Sequence, residues 1–142
     1  MAQALPEAEI DGFEIQVQLQ ATLEAAVGFS TDPIFGPIVT VGSGGALVEI
    51  LDDAEAGLAP LTPDSAGAMI ERTRFATIAA GYRNLVAPTP LEEVSKAVVA
   101  LSWLAADFGT LLIEGDLNPV LVEPGTGRVS IVDVLLVGQA RG

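Results

Sequence analysis

Four polar residues interrupt two apolar runs near the end of the chain, in the segment IEGDLNPVLVEPGTGRVSIVDV. They are Glu114, Asp116, Asn118 and Asp133. Carboxylate and amide oxygens are the ligands that Mg²⁺ prefers, and phosphates and water usually complete its coordination. The alternative is a solvated polar face on an edge hairpin, where such residues cost little.

A hairpin would bring these residues together. Pro124 to Gly127 have the composition of a four-residue loop, and the resulting register places Asn118 opposite Asp133. Because side chains alternate along a strand, Glu114, Asp116 and Asn118 share one face. Carboxylates on adjacent strands repel each other, so the pattern favours a bound divalent cation or exposure to solvent.

Composition excludes several kinds of chemistry. The 142 residues include no Cys and no His, so disulfides, thiolate metal sites and His acid–base catalysis are impossible within this chain. Six basic residues against nineteen acidic ones give a net charge of −13. Such a chain repels nucleic acid and anionic lipid, although the acidity also serves solubility. No apolar run approaches the ~20 residues of a membrane helix, and we expect a cytoplasmic protein.

The coarse secondary-structure pattern predicts an α+β fold. FEIQVQLQ, Phe13 to Gln20, alternates apolar and polar residues and predicts a half-buried strand that pairs with the next strand, LEAAVGFST. PIVTVG and ALVEIL predict two more strands, separated by the run Gly42, Ser43, Gly44 and Gly45. A tight turn explains this run, and its backbone amides could also approach an anion.

Two helices are expected in the middle of the chain. The first has Thr62 as N-cap, Pro63 at its first position and Gly81 as its stop. Thr89 and Glu92 fit a capping box at the start of the second. The predicted fold is thus a mostly antiparallel sheet with two main helices on one face, formed by residues 12–138 between tails at 1–11 and 139–142.

Five segments in this order carry a resemblance to a known family: TDPIFGPIVTVGSGGALVEILDD, LAPLTP, AGYRN, LSWLAADF and EGDLNPVLV. From about Gly12 to about Leu136, the chain resembles the second half of the ATP-grasp domain of NDP-forming acyl-CoA synthetases. This family includes ADP-forming acetyl-CoA synthetase and is related to the β subunit of succinyl-CoA synthetase.

The resemblance implies a site for Mg²⁺ and ATP or ADP. In the family the Asn of the NP motif and an Asp on the following strand bind Mg²⁺, and these match Asn118 and Asp133. Asp116 matches a catalytic carboxylate near the loop that carries a phosphorylated His. The glycine run and Glu49 match the cofactor-binding positions.

The chain also departs from the family. The front half of ATP-grasp and the His-bearing CoA-binding domain are missing. Basic residues common in the family are replaced by Thr31, Gly57 and, after the metal-binding Asp, by Val134 and Leu135. Arg83 is the one family-like basic residue retained. Phosphoryl transfer relies on cations to offset developing charge, so we expect the isolated chain to be inactive.

Three hypotheses remain open. In the first, the chain supplies the Mg-nucleotide side of an acid–CoA ligase site to a partner that carries the front half and the CoA-binding domain. In the second, it is a degenerate, non-catalytic ATP-grasp-like protein with a binding or regulatory role. In the third, it is a cation-binding or purely structural homo-oligomer. The apolar run VDVLLV indicates either a surface that packs against a partner or another copy, or a strand that completes the chain's own core.

Overall fold

The computed structural model describes residues 12–19, 23–45 and 52–139. They form six strands: β1 (Leu23–Asp32), β2 (Gly36–Ser43), β3 (Glu55–Leu58), β4 (Leu112–Val122), β5 (Val129–Ile131) and β6 (Val134–Gly138). Three helices lie between β3 and β4: α1 (Pro63–Glu71), α2 (Arg74–Ala79) and α3 (Glu92–Phe108). A 3₁₀ turn, Tyr82–Asn84, follows α2. None of these helices is both long and apolar enough to cross a bilayer.

All strand pairs are antiparallel, in the order β3-β2-β1-β4-β5, and β6 also pairs with β4. The predicted α+β class, with an antiparallel sheet covered on one face by helices, is therefore confirmed. Strand β4 is central, because it pairs with β1 on one side and with both β5 and β6 on the other. The β1–β4 register shifts between Ala25 and Val27, which places a bulge in β4 beside Asn118 and Pro119.

The core lies between this sheet and the helices. In β1, Leu23, Ala25, Val27 and Phe29 are buried and alternate with partly exposed residues, as expected for a strand covered on one face. The apolar stripe of α3 packs against them through Val94, Val98, Leu101 and Ala105, which are all buried. The opposite face of the sheet therefore remains open, and it carries most of the candidate site residues.

The first predicted helix is two helices. Thr62 caps α1 as expected, since its side chain accepts a hydrogen bond from the Ser65 amide, and Gly81 ends the region at φ +92°. Between these points the helix is interrupted before Arg74. Thr73 acts there as a second N-cap, because its side chain accepts a hydrogen bond from the Ala76 amide at 3.1 Å. The polar stretch Glu71 to Arg74 therefore contains a buried N-cap that the prediction of one helix overlooked.

The capping box predicted for α3 is wrong. Helix α3 begins after Leu91 without a side-chain cap. The Thr89 hydroxyl instead donates to the Ala87 carbonyl and accepts from the Gly125 amide at 2.9 Å, so it ties the β4–β5 loop to the chain before the helix. The Thr89 hydroxyl oxygen thus binds the distant Gly125 amide and does not cap the helix.

The strand predicted at Phe13 to Gln20 is wrong over its described part. Residues 12–19 form no strand, and Phe13, Ile15 and Val17 are more than four-fifths exposed. Alternation specifies a face that can be buried, but a strand also needs a neighbour to pair with, and none of the described strands takes this role. The predicted strand ALVEIL and the tail at residues 1–11 lie outside the described residues, as do 140–142 of the second tail.

Candidate functional site

A cavity of about 260 Å³ lies on the open face of the sheet. Its walls come from β1, β2, β4 and the chain that leads into β3. The lining includes four of the predicted site residues: Gly42, Ser43, Asp116 and Asn118. Asp52 and Asp53, which were not predicted, also line it. None of the described lining residues is Lys or Arg, so the cavity has a negative potential.

Asp116 projects into the cavity from the middle of β4. Its partner across the β1–β4 ladder is Gly28, and a Cβ added at Gly28 would lie 3.5 Å from both Asp116 Oδ1 and Thr40 Oγ1. Burial raises the pKa of Asp116, and the charges of Glu114 and Asp133 raise it further. A hydrogen bond from the Leu117 backbone lowers the pKa but does not offset these effects. Asp116 therefore holds a proton more readily than an exposed carboxyl.

Asn118 lies at the bulge in β4 and faces the glycine run. Its Oδ1 accepts a hydrogen bond from the Gly45 amide at 2.9 Å, across 73 positions of sequence. This contact fixes the direction of the side-chain carbonyl, and one lone pair of Oδ1 remains for another ligand. The bond joins Asn118 to the glycine run, a contact that no pattern in the sequence predicted.

Asp133 occupies the facing side of the same irregularity. The ladder runs from Leu117↔Val134 into β6 and from Val120↔Ile131 into β5, so Asn118 and Asp133 fall in the gap between the two pairings. The predicted register is thus kept on both sides, although these two residues do not form a ladder pair. Asp133 is exposed, but its charge reaches Asp116, where it raises the pKa.

The glycine run closes the end of β2 against β1. Gly44 is buried, and a Cβ there would lie 2.4 Å from the carbonyl of Ala25, so this position tolerates no side chain. Gly45 has φ +62°, a left-handed conformation that favours glycine. Glu49, predicted to follow as a cofactor-binding residue, lies outside the described residues.

The amides of the run already have partners. The Ser43 amide donates to Asp53 Oδ1 at 3.0 Å, the Gly44 amide to the Glu24 carbonyl at 2.7 Å, and the Gly45 amide to Asn118. An anion that bound these three amides directly would have to displace all three acceptors. In this conformation the run is arranged as a support for its neighbours.

Gly28, Asp52 and Asp53 line the cavity and were missed by sequence reasoning. Asp53 accepts four hydrogen bonds, from the amide and hydroxyl of Ser43 and from the amides of Arg74 and Phe75. Burial works to raise the pKa of Asp53, but these four donors outweigh it and lower the pKa. Gly28 carried one usable signal, because a glycine inside a strand often marks a close approach of other groups.

The donor set suits a hard cation that keeps ligands of its own. Within residues 12–19, 23–45 and 52–139, no group of three His, Cys, Asp or Glu side chains converges as a metal cage. An amide oxygen at Asn118 and carboxylates at Asp116 and Asp133 fit Mg²⁺, which binds through one or two protein groups together with phosphates and water. The charges of Glu114 and Asp133 raise the pKa of Asp116, and a bound cation relieves such repulsion.

The chain belongs to the ATP-grasp domain family, whose model matches residues 1–137. Within this family it matches the ATP-grasp region of ADP-forming acyl-CoA synthetases. It is 37% identical over 128 residues to a 4-hydroxybutyrate–CoA ligase (ADP-forming) from Nitrosopumilus maritimus, which covers 89% of this chain and 18% of the relative. It is 35% identical over 133 residues to subunit β of acetate–CoA ligase (ADP-forming) II from Pyrococcus furiosus, covering 93% of this chain and 56% of the subunit.

Solved structures agree with this assignment. A protein from Pyrococcus horikoshii superposes with a TM-score of 0.80 at 29% identity, over 99% of this chain and 58% of its own. Acetyl-coenzyme A synthetase 1 from Ca. Korarchaeum cryptofilum superposes with a TM-score of 0.77 at 29% identity, over 85% of this chain and 55% of its own. That enzyme was solved with coenzyme A and Mg-AMPPCP. The chain therefore spans little more than half the length of these structures.

Proposed function

We propose that this chain supplies the Mg²⁺ side of a nucleotide site in an NDP-forming acid–CoA ligase. One observation carries the proposal: Asp116, Asn118 and the Ser43 end of the glycine run line one cavity, and a hydrogen bond joins Asn118 to that run. In this role Asn118 and Asp133 hold the cation, and the phosphates of ATP or ADP complete its coordination. In this role Asp116 lies near the loop that carries the phosphorylated His.

A partner completes the site in this proposal. The matched relatives include a β subunit and proteins of which this chain covers about half or less. The partner carries the front ATP-grasp half, which binds the rest of the nucleotide, and a His-bearing CoA-binding domain, since this chain contains no His. The assembly acts in the cytoplasm, without nucleic acid or membrane.

The exposed apolar surface supports an assembly. Ile131, Val132, Val134, Leu135 and Leu136 are each at least 44% exposed along the β5–β6 edge. Runs of exposed apolar residues on an edge strand are typical of surfaces that another chain covers. The interpretation of VDVLLV as a strand completing the chain's own core fits these exposures poorly, and a second copy of this chain is the alternative occupant.

Titration with Mg²⁺ tests the cation site. A site filled to 100 times its Kd adds about 2.7 kcal/mol to the free energy of unfolding, which a thermal-shift series detects. We expect Mg²⁺ to stabilise the parent chain and Mg²⁺ with ADP to stabilise it more. Asn118→Ala and Asp133→Asn should reduce both effects, whereas Glu123→Gln, which removes a charge beside Arg128, should not. Equal shifts in all four proteins would exclude this site.

One feature favours the degenerate, non-catalytic reading as a second candidate. Where the family commonly has Arg before LAPL, this chain has Gly57, and a Cβ there would lie 2.7 Å from Met69 Sδ and 3.1 Å from Leu61 Cδ2. The space for a longer side chain is thus already filled by Met69 of α1 and by Leu61, which precedes that helix. Turnover of ATP, CoA and acetate should be absent for the purified chain alone, and measured product would refute that expectation.

A further inference from the structure

We infer that Asp53 is a positioning residue for the cation site, which it braces by holding the glycine run against Asn118. The inference rests on the proposed function, because it assigns Asn118 to the cation. Asp53 touches neither the proposed cation ligands nor the reacting atoms through any hydrogen bond of the structure. It acts through the glycine run. The Asp53 carboxylate holds Ser43 of this run, and the side-chain oxygen of Asn118 holds Gly45.

The first link of this brace runs from α2 to β2. Oδ2 of Asp53 accepts from the Arg74 and Phe75 amides at 2.9 and 3.2 Å, which are the first two amides of α2. The same carboxylate accepts from the Ser43 amide through Oδ1 and from the Ser43 hydroxyl through Oδ2, both at 3.0 Å. One side chain therefore joins the start of a helix to the last residue of a strand.

The second link runs from Ser43 to the cation site. The Gly44 amide donates a hydrogen bond to the Glu24 carbonyl, so little freedom of movement remains between Ser43 and Gly45. The Gly45 amide then meets Asn118 Oδ1 at 2.9 Å. Displacing Ser43 would move this amide and release the Asn118 carbonyl from its orientation, which is how partners behind a metal ligand control affinity.

The ionised form of Asp53 is the one that suits this role. A carboxylate accepts at all of its lone pairs, whereas an amide in its place offers one acceptor oxygen and two donor hydrogens. In Asp53→Asn, the nitrogen would face amide donors from Ser43 or from the start of α2. The lowered pKa of Asp53 agrees with this arrangement, since the four donors stabilise the charge.

The test compares Asp53→Asn with Thr73→Ala. Thr73 caps the same helix α2 through the Ala76 amide and donates to the Ile70 carbonyl of α1, but it makes no hydrogen bond to the glycine run, so Thr73→Ala weakens the helix layer without releasing Ser43. Two readouts are measured by NMR on the full chain: the Kd for Mg²⁺ with ADP, and hydrogen exchange at the Gly45 amide without any ligand. Exchange at core amides such as Val27 monitors folding.

We expect Asp53→Asn to weaken binding of Mg²⁺ with ADP by about 10-fold or more, the range seen when support behind a metal ligand is lost. Gly45 exchange should accelerate while Val27 exchange changes little. Thr73→Ala should leave the Kd within about 2-fold of the parent, well short of the loss expected for a metal-ligand support. Equal effects of the two variants on the Kd, or unchanged Gly45 exchange in Asp53→Asn, would overturn the inference.

Failure of the proposed function has a different signature. If the parent chain does not bind Mg²⁺ with ADP, the proposed site fails for this chain, and the Gly45 amide alone decides whether Asp53 braces the run. Should Asp53→Asn not fold, Ser43→Ala removes the hydroxyl–carboxylate bond from the other side. Faster Gly45 exchange in that variant supports the brace, and parent-like exchange refutes it.

Discussion

Single residues set the electrostatics of the cavity. Asp116 and Asp53 line the same cavity, yet their pKa values move in opposite directions from the same ordinary value of 3.8. Both are partly buried, which raises a carboxyl pKa, so burial does not distinguish them. Their partners do: Asp53 meets four hydrogen-bond donors, whereas Asp116 meets the charges of Glu114 and Asp133.

The raised pKa of Asp116 predicts a pH-dependent penalty. The folded chain takes up this proton at higher pH than the unfolded chain, so ionised Asp116 lowers the free energy of unfolding, and the penalty disappears as pH falls toward 3.8. Without metal at pH 7, Asp116→Asn should raise Tm on the order of 2 °C, a gain of a few tenths of a kcal/mol after solvent screening. Thermal scans from pH 4 to pH 7 measure it.

A control variant and a second condition sharpen this prediction. Glu123→Gln removes the same charge beside Arg128, at 3.8 Å, and should give no such gain. Saturating Mg²⁺ should reverse the order of parent and Asp116→Asn, because the cation compensates the charges that destabilise the free site. A gain that persists unchanged at pH 4 would contradict the assignment to ionised Asp116.

Sequence reasoning located the hairpin residues but not their support. The positions of Asp116, Asn118 and Asp133 could be predicted, because two strands and a loop of fixed length determine which residues face each other. Asp53 was not, since an Asp in a loop acquires its role from Ser43 and from the start of α2, 21 positions further along. No local pattern encodes that meeting.

Elements were predicted where their signals are local and missed where a distant partner decides. Thr62 with Pro63 begins α1 as predicted, since a cap uses its own next turn. Phe13 to Leu19 has a clear strand pattern and no strand, because pairing depends on another segment. The short strand β3, EAGL, was missed for the converse reason. Its sequence has no strand pattern, and its pairing with β2 is what makes it a strand.

Helix α3 contains a polar contact that predicts a measurable stability change. Ser102 is fully buried, accepts from the Leu61 amide at 3.0 Å and donates to the Val99 carbonyl at 2.7 Å. Ser102→Ala leaves the buried Leu61 amide without its acceptor, which should cost about 1–3 kcal/mol in free energy of unfolding by urea denaturation. Ser95→Ala, on the same helix and only partly buried, should change it by less than about 0.5 kcal/mol. Equal losses would refute the role of this bond.

At the scale of the whole molecule, two opposing features meet. The β5–β6 edge exposes adjacent apolar residues, and none of the described strands pairs with its outer side, which favours association. A net charge of −13 opposes association between copies of the chain. Their balance depends on ionic strength, since salt screens the charge and leaves the apolar contact intact.

This balance predicts salt-dependent self-association of the isolated chain through β6. At 10 mM salt the Debye length is about 30 Å and repulsion should keep the chain monomeric, whereas at 0.5 M salt screening within about 5 Å should permit dimers. Sedimentation velocity measures the change. Leu135→Lys places a charge in the edge and should abolish the dimer, while Ile34→Lys, at an exposed residue of the β1–β2 turn, changes the net charge equally and should not. Dimers that weaken with salt, or that survive Leu135→Lys, would locate the contact elsewhere and would leave the β6 edge free for the proposed partner.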